Sequence, residues 1–427
     1  MHERTSIKKY IIMKNIAFFY PSKEFGGAEN LIIRVSKVLI SMGHKITIID
    51  YKGGMVISNL LNIPGICFLE YEDNKTIIVK DVTHLVSFSL WIEKIRNQIQ
   101  TQNRIFLLIW FIHPYHIFHL IHPLPEKLAK FVYFKYKSKI IQMLTLMNDK
   151  GSLQFMDFEN YFISKEYFKL HFKPKYLPIP VNCDVNKQKV QTFSEEISIV
   201  WIGRLALEKV NILLYVLDQV REYSIKNQGF IHFYIVGTGS YKGSLNEYIA
   251  NNNFEYLKII RIDRILPENI PDFLSGKRVL FAMGTTALEG GAEKIPTVLV
   301  DYSYSDYNKI KQKGYKFKWL YQTKDFKVGS DIFKSHKFIN TENQMTIDDI
   351  FEIILDPSAS EVIGNKCYNY SIENHRMESV VGKLLDDLES CSFTISKLLE
   401  FNLDKNIFEL TSDNAYNYLR KVKNAFF

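Results

Sequence analysis

The chain has 427 residues, 47% hydrophobic and 14% aromatic, with 12 Pro and 20 Gly, which excludes a disordered or collagen-like polymer and predicts two or three globular domains. Its four cysteines, at 67, 183, 367 and 391, lie far apart, which excludes a disulfide framework and a cysteine zinc site and predicts a reducing compartment. The net charge of +8 is lopsided: residues 1–182 carry 24 Lys+Arg against 14 Asp+Glu, leaving 30 against 32 for the rest, so the first half is expected to meet an anionic partner.

Residues 1–12 lack an alternating apolar pattern and read as a dispensable extension. The longest apolar run, Ile105 to Ile112, is far below the ~20 residues that span a bilayer, and no leader is visible, so a cytoplasmic protein is expected. Asn15 to Tyr20 reads as a buried strand, Pro21 to Gly27 as a loop, Glu29 to Met42 as a helix and Lys45 to Asp50 as the next strand, the crossover unit of a parallel sheet. Thr76 to Val79, His84 to Phe88 and Arg104 to Trp110 are further strand candidates. After a Pro-containing stretch, Lys173 to Asn182, a second series begins: strands at Glu196 to Ile202, Phe230 to Val236, Leu257 to Ile262, Arg278 to Phe281 and Thr297 to Val300, with helices near Asn211 to Ser224 and Tyr241 to Asn251. The tail from 341 reads as helical. Two α/β series predict two doubly wound, Rossmann-like domains facing each other across a cleft, over 14–182 and 183–340, with a helical extension over 341–427.

Four loops carry candidate chemistry. Gly26-Gly27, between the first strand and its helix, suits backbone approach to a ligand and equally suits a tight turn. Gly203-Arg204 with Lys209 places two cations at a strand's carboxyl end, matched to a pyrophosphate, or forms a solvated loop. Gly237-Thr238-Gly239 is an imperfect dinucleotide fingerprint with Asp263 downstream, read as a plain turn or a phosphate-adjacent loop. Gly284-Thr285-Thr286 puts N–H donors and hydroxyls at a helix start, and Glu289 is expected in that helix's first turn, accepting from a sugar or ribose hydroxyl or simply answering the helix dipole.

His113, His116, His119 and His122 recur every three residues, but neither a helix nor a strand converges four ligands at that spacing, so no metal site is expected. Lys127 to Lys139 (KLAKFVYFKYKSK) holds five lysines, no acid and four aromatics. It reads either as a surface for anionic lipid or as a solvated basic helix with its rings in the core. Nucleic acid is not expected, because the second half is net acidic and no RNA-binding motif is present.

In order, these segments resemble the retaining GT-B glycosyltransferases of the family 4 type, over residues 14 to roughly 330. The resemblance is carried by FGGAENLIIRVSKVLISMGHKITII, IGRLALEKV, IVGTGSYKGSLNEYI, LPENIPDFLS and ALEGGAEKIPTVLVD. It implies transfer of a sugar from a nucleotide sugar, with Arg204 and Lys209 neutralising the diphosphate and His113 near the donor sugar. Gly203, Gly237, Gly239, Gly284, Thr285, Thr286 and Glu289 would line the donor site, with Glu289 on the ribose, and Gly26 and Gly27 the acceptor side. It implies no metal and no other cofactor. The implied acceptor is a glycan or a lipid-linked precursor of a bacterial surface polysaccharide, met at the inner face of the membrane. The family's first glutamate of Glu-x7-Glu would fall at 281, where this chain has Phe281, and Val210 replaces the glycine after Lys209. The alternatives are a non-catalytic nucleotide-sugar-binding scaffold and a nucleotide-sugar epimerase on the same fold.

Overall fold

The computed structural model describes residues 13–24, 26–114, 116, 126–183, 196–266, 269–333 and 344–401, with the backbone only of 126–136. The chain divides into two compact units. The first comprises residues through Met156, Asn160–Leu177 and the tail from Val381; the second comprises Asp157–Glu159 and Pro178–Val380. The expected 341–427 extension is therefore shared between the two units rather than standing apart.

In chain order the first unit contains β1 (Asn15–Phe19), α1 (Gly27–Ser41), β2 (Lys45–Tyr51), α2 (Met55–Leu60), β3 (Ile66–Tyr71), β4 (Ile77–Val79), β5 (His84–Phe88), α3 (Ile92–Gln98), β6 (Ile99–Thr101), β7 (Phe106–Phe111), α4 (Glu126–Asp149) and β8 (Leu153–Phe155). Then comes α5 (Phe158–Phe168), whose opening residues belong to the second unit. Strand order is β3-β2-β1-β5-β7-β8, all parallel. The central strands are apolar without alternation because helices cover both faces of such a sheet: every residue of β5 is buried, and β1 buries all but its first. β4 and β6 pair only with each other, so the Thr76 to Val79 strand forms outside the main sheet.

The second unit runs β9 (Ile197–Ile202), α6 (Leu207–Asn227), β10 (Ile231–Val236), α7 (Lys242–Ala250), β11 (Leu257–Ile262), α8 (Ile270–Leu274), β12 (Val279–Ala282), α9 (Thr285–Ala292), β13 (Thr297–Leu299), α10 (Tyr307–Lys313) and β14 (Lys318–Trp319). α11 (Ile347–Leu355), α12 (Pro357–His375), α13 (Met377–Ser390) and α14 (Ile395–Glu400) follow. Its order is β11-β10-β9-β12-β13-β14, parallel except for β14. The chain builds outward from β9 to one side, then returns to build β12 and β13 on the other, which puts a topological switch point between β9 and β12.

The core beneath that point is aromatic: Trp201, Phe233 and Phe281 are buried, with Phe281 edge-on to Phe317 at 5.8 Å. The tail is fitted tightly to it. A Cβ at Gly291 of α9 would overlap Ser371 Oγ of α12, and one at Gly364 of α12 would overlap the Lys294 carbonyl. Among the described residues no helix is long and apolar enough to cross a membrane.

Candidate functional site

Three loops leave adjacent strand ends of the second unit: Gly203–Ala206 after β9, Gly237–Gly239 after β10 and Met283–Gly284 after β12. The first two are stitched together through backbone alone. Gly203 N donates to Val236 O at 3.0 Å, Leu205 N to Thr238 O at 3.0 Å, and Tyr241 N to Leu205 O at 3.0 Å. A Cβ at Gly237 would overlap the Gly203 carbonyl oxygen, one at Gly239 would overlap the Leu205 carbonyl oxygen, and Gly237 has φ +141°. These glycines thus have a packing reason independent of any ligand. Asp263, after β11, pairs with Lys242 at 2.7 Å, which fits the plain-turn reading of that segment.

Arg204 and Lys209 come from this stitched loop and the first turn of α6. Arg204 is exposed, with its guanidinium 3.7 Å from Glu208. Lys209 is half-buried, and no hydrogen bond or ion pair holds its ammonium among the described residues; burial pulls its pKa below the ordinary lysine value. A half-buried cation in the positive first turn of a helix, with the Glu208 charge only partly offsetting its burial, is unfavourable in the free protein and is relieved by an anion. Under it lies a donor that sequence reasoning missed. A Cβ at Gly203 would stand 3.5 Å from Trp201 Nε1 and 3.9 Å from Lys209 Cδ, and that indole N–H is buried with no acceptor among the described residues.

The β12 loop contributes amides. Gly284 takes φ +64°, donates to Val328 O at 2.6 Å and caps α9, and the N–H groups of Thr285 and Thr286 make no hydrogen bond among the described residues. Glu289 falls in the second turn of α9 rather than the first, because the helix already starts at Thr285; the dipole reading of this residue therefore fails. The strand ends at Ala282, so Phe281 is a strand position with its ring in the core; counting eight residues back from Glu289 crosses the loop into the sheet. Val210 is likewise a buried helix residue.

Next to the cations sits a cluster of acids and phenols. Ser303 N donates to Glu208 O at 2.8 Å, tying the segment after β13 to the first turn of α6. One residue on, the Tyr304 phenol is held above its ordinary value by desolvation and then by the charges of Glu208, Asp331 and Glu159. Glu159 accepts from Tyr302 OH at 2.9 Å and from Asp331 N at 3.3 Å. Burial first, and Asp157 second, push its carboxyl up to about 8, so it is protonated at neutral pH. In the sequence, Asp157-Phe158-Glu159 is only a commonplace spacing of acids; its partners arrive from residues 302 to 331.

In the first unit, Gly26 and Gly27 are exposed at the start of α1; Gly26 is its extended N-cap, and a Cβ at Gly27 would meet nothing. The preceding loop is held by carboxylates. Asp50 Oδ1 accepts from Ser22 N and Tyr51 N, both at 2.7 Å, and Oδ2 accepts from Val56 N at 3.0 Å and Ile57 N at 3.3 Å. Burial raises the Asp50 pKa while these four N–H groups lower it. Glu29 accepts from Ser22 Oγ at 2.6 Å. His113 follows β7, exposed, its ring stacked on His116 at 4.7 Å. β5 separates β7 from β1, so His113 and Gly26–Gly27 leave strand ends roughly 10 Å apart. His119 and His122 lie outside the described residues.

Lys127 to Lys139 falls within α4, and the side chains of Lys127, Lys130 and Lys135 lie outside the described residues. Lys137 stands 4.7 Å over the Tyr167 ring, and Lys139 is exposed.

No protein-family profile matches the chain, and no curated protein sequence matches it significantly. Solved structures do. A glycosyltransferase from Rickettsia africae ESF-5 superposes with a TM-score of 0.54 at 17% identity, covering 89% of this chain and 98% of that one. A TarM variant of S. aureus, in complex with fondaparinux, alpha-GlcNAc-glycerol and UDP, gives 0.52 at 12% identity over 88% of this chain and all (100%) of its own. The trehalose-6-phosphate synthase OtsA gives 0.51 at 10% identity over 88% and 99%. Likeness at such identities is likeness of fold. Two Rossmann-like units, each with its switch point, and a helical tail shared between them make this a chain of the GT-B fold, the one on which those glycosyltransferases are built.

Proposed function

We propose that this chain is a glycosyltransferase that moves a sugar from a nucleotide-sugar donor, with retention, onto a glycan or lipid-linked acceptor of a surface polysaccharide. The observation that carries the reading is Lys209: a half-buried cation at the switch point with no ion pair among the described residues, beside Arg204 and the Thr285 and Thr286 amides, which make no hydrogen bond among the described residues. A leaving nucleoside diphosphate develops negative charge as its bond to the sugar breaks, and fixed cations and amides stabilise that charge without reorganising. No divalent ion is needed in this scheme. UDP, present in the TarM complex, is the first probe.

The test is a calorimetric panel of nucleoside diphosphate sugars, followed by NMR of the anomeric configuration of the product. Arg204→Ala and Lys209→Ala should each weaken transition-state binding by about 1.5–3 kcal/mol, a loss of roughly tenfold to over a hundredfold in kcat/KM. Turnover at the wild-type rate in both variants would overturn the reading, and so would activity abolished by EDTA and restored by manganese. Because only the ammonium form of Lys209 binds the diphosphate, donor affinity should fall as pH rises, with a midpoint below the ordinary lysine value of 10.5.

The lysine stretch of α4 supports docking of the first unit on anionic lipid. Replacing Lys130, Lys135, Lys137 and Lys139 with glutamine should release the protein from phosphatidylserine vesicles and leave donor affinity intact, with each lysine contributing about 1 kcal/mol. Equal sedimentation of variant and wild type would return the stretch to an ordinary basic helix.

A further inference from the structure

The first unit has a concave feature at the end of its sheet opposite to Gly26, Gly27 and His113. The segment Cys391–Ile395 runs back along the start of β7: Leu107 N donates to Phe393 O at 2.8 Å, Ile395 N to Ile105 O at 3.1 Å, and Ser392 N to Lys150 O at 2.8 Å. Between this segment, the end of α4 and the residues before β7 lies a cavity of about 350 Å³. Arg104, Lys150 and Lys397 line it together with Ser392, Thr394 and Ser396, and no Asp or Glu does.

The charge is largely uncompensated. Arg104 lies over the Phe106 ring at 5.0 Å, a contact that leaves its N–H edge free, and neither Arg104 nor Lys150 takes part in an ion pair among the described residues. Lys397 is paired with Glu400, outside the lining. Three cations and three hydroxyl-bearing residues around one small opening supply the donors a tetrahedral oxyanion needs, and the volume holds a phosphate or a phosphate monoester end. From these residues we infer a phosphate-binding site on the first unit, separate from the donor site. Arg104 precedes the first residue of β7 and His113 follows its last, so about 20 Å of strand lies between this cavity and the loops at the other end of the sheet. A phosphate bound here therefore anchors or regulates, and is not the group transferred. Its source is either a free phosphate compound or the headgroup of a phospholipid.

The experiment titrates the full-length chain with inorganic pyrophosphate by calorimetry, in an Arg204→Gln/Lys209→Gln background so that the donor site does not contribute. Arg104→Gln/Lys150→Gln in that background should weaken binding by about tenfold or more. Its melting temperature without the anion should be unchanged, because both side chains are exposed. Lys150→Glu serves as a second variant, with a larger expected loss. In parallel, the otherwise wild-type chain and its Arg104→Gln/Lys150→Gln variant are sedimented with phosphatidic acid or phosphatidylcholine vesicles. Loss of pyrophosphate binding alone identifies a free phosphate compound, and loss of phosphatidic acid binding identifies the headgroup; either supports the site. If wild type and variants bind both probes equally, or the wild-type cavity binds neither, the inference is overturned. UDP affinity with Arg204 and Lys209 intact should be the same whether or not Arg104 and Lys150 are replaced, so failure of this site and failure of the glycosyltransferase reading are told apart.

Discussion

β1 and β9 hold the same place in their sheets, each between its second strand and the first strand beyond the switch point, yet their following loops are held by different chemistry. After β1 the chain is tied to the neighbouring strand end by Asp50, whose carboxylate takes four backbone N–H groups. After β9 the tie is carbonyl to amide, made possible by the missing side chains of Gly237 and Gly239. A carboxylate tie satisfies its donors within the protein. A glycine tie adds no charge, and the neighbouring Lys209 ammonium and the Thr285 and Thr286 amides stay available to an anion. The composition of the two halves points the other way: the basic half buries acids at its strand ends, and the acidic half presents cations there. Local placement of charge, rather than net charge summed over half a chain, sets what each strand end presents.

The comparison can be broken at the Asp50 tie first. Asp50→Ala leaves four N–H groups without their acceptor, at about 1–3 kcal/mol each, so the first unit should lose about 5 kcal/mol or more and unfold separately in a denaturant titration. A loss below 1 kcal/mol would mean that water replaces the carboxylate without cost. Next is the buried acid of the second unit. Glu159 ionises near 4.5 when unfolded and near 8 when folded. Between those values the unfolded chain sheds its proton first, so stability should fall with rising pH, by on the order of 4 kcal/mol. Glu159→Gln, which keeps an acceptor for Tyr302, should flatten that decline; chemical denaturation at pH 5 and pH 8 reads the difference, and parallel slopes in wild type and variant would contradict the assignment. A smaller effect is expected at the glycine tie. Gly237→Ala must part the Gly203 and Gly237 loops, at about 3 kcal/mol from overlap and backbone strain together, and nucleotide affinity should drop even where the second unit remains folded. Unchanged affinity in a folded variant would show that the tie does not position Lys209.

The strands were readable wherever the chain is covered on both faces. His84–Phe88 and Leu257–Ile262 stand at the positions their apolar runs indicate, and β1, β2, β9, β10 and β12 start or stop within a residue or so of expectation. β3 is hard to read because ICFLEY offers only a four-residue apolar run and is only partly buried, and β8 because three residues make no pattern. α6 begins four residues before its expected start, since the Leu-Glu-Lys of its first turn has the charged character of a loop. In the candidate site, the placement of Arg204 and Lys209 at the carboxyl side of β9 was legible because charges soon after an apolar strand have one place to go. Asp50 and Glu159 were not, because what makes them unusual is backbone and hydroxyl partners from elsewhere in the chain. That Phe281 is a buried strand residue was likewise not legible, since a spacing counted along the sequence does not register that a strand end intervenes.

The seam between α9 and α12 reaches further than packing. With Gly291 against Ser371 and Gly364 against the Lys294 carbonyl, each helix occupies volume that any larger residue on the other would need. Neither side can drift in sequence alone, so the seam acts as a compatibility lock. A chimaera that borrows a donor-binding unit from a related protein should fold only if α12 travels with it, and shuffling breakpoints between Ala292 and Pro357 should be depleted among soluble recombinants.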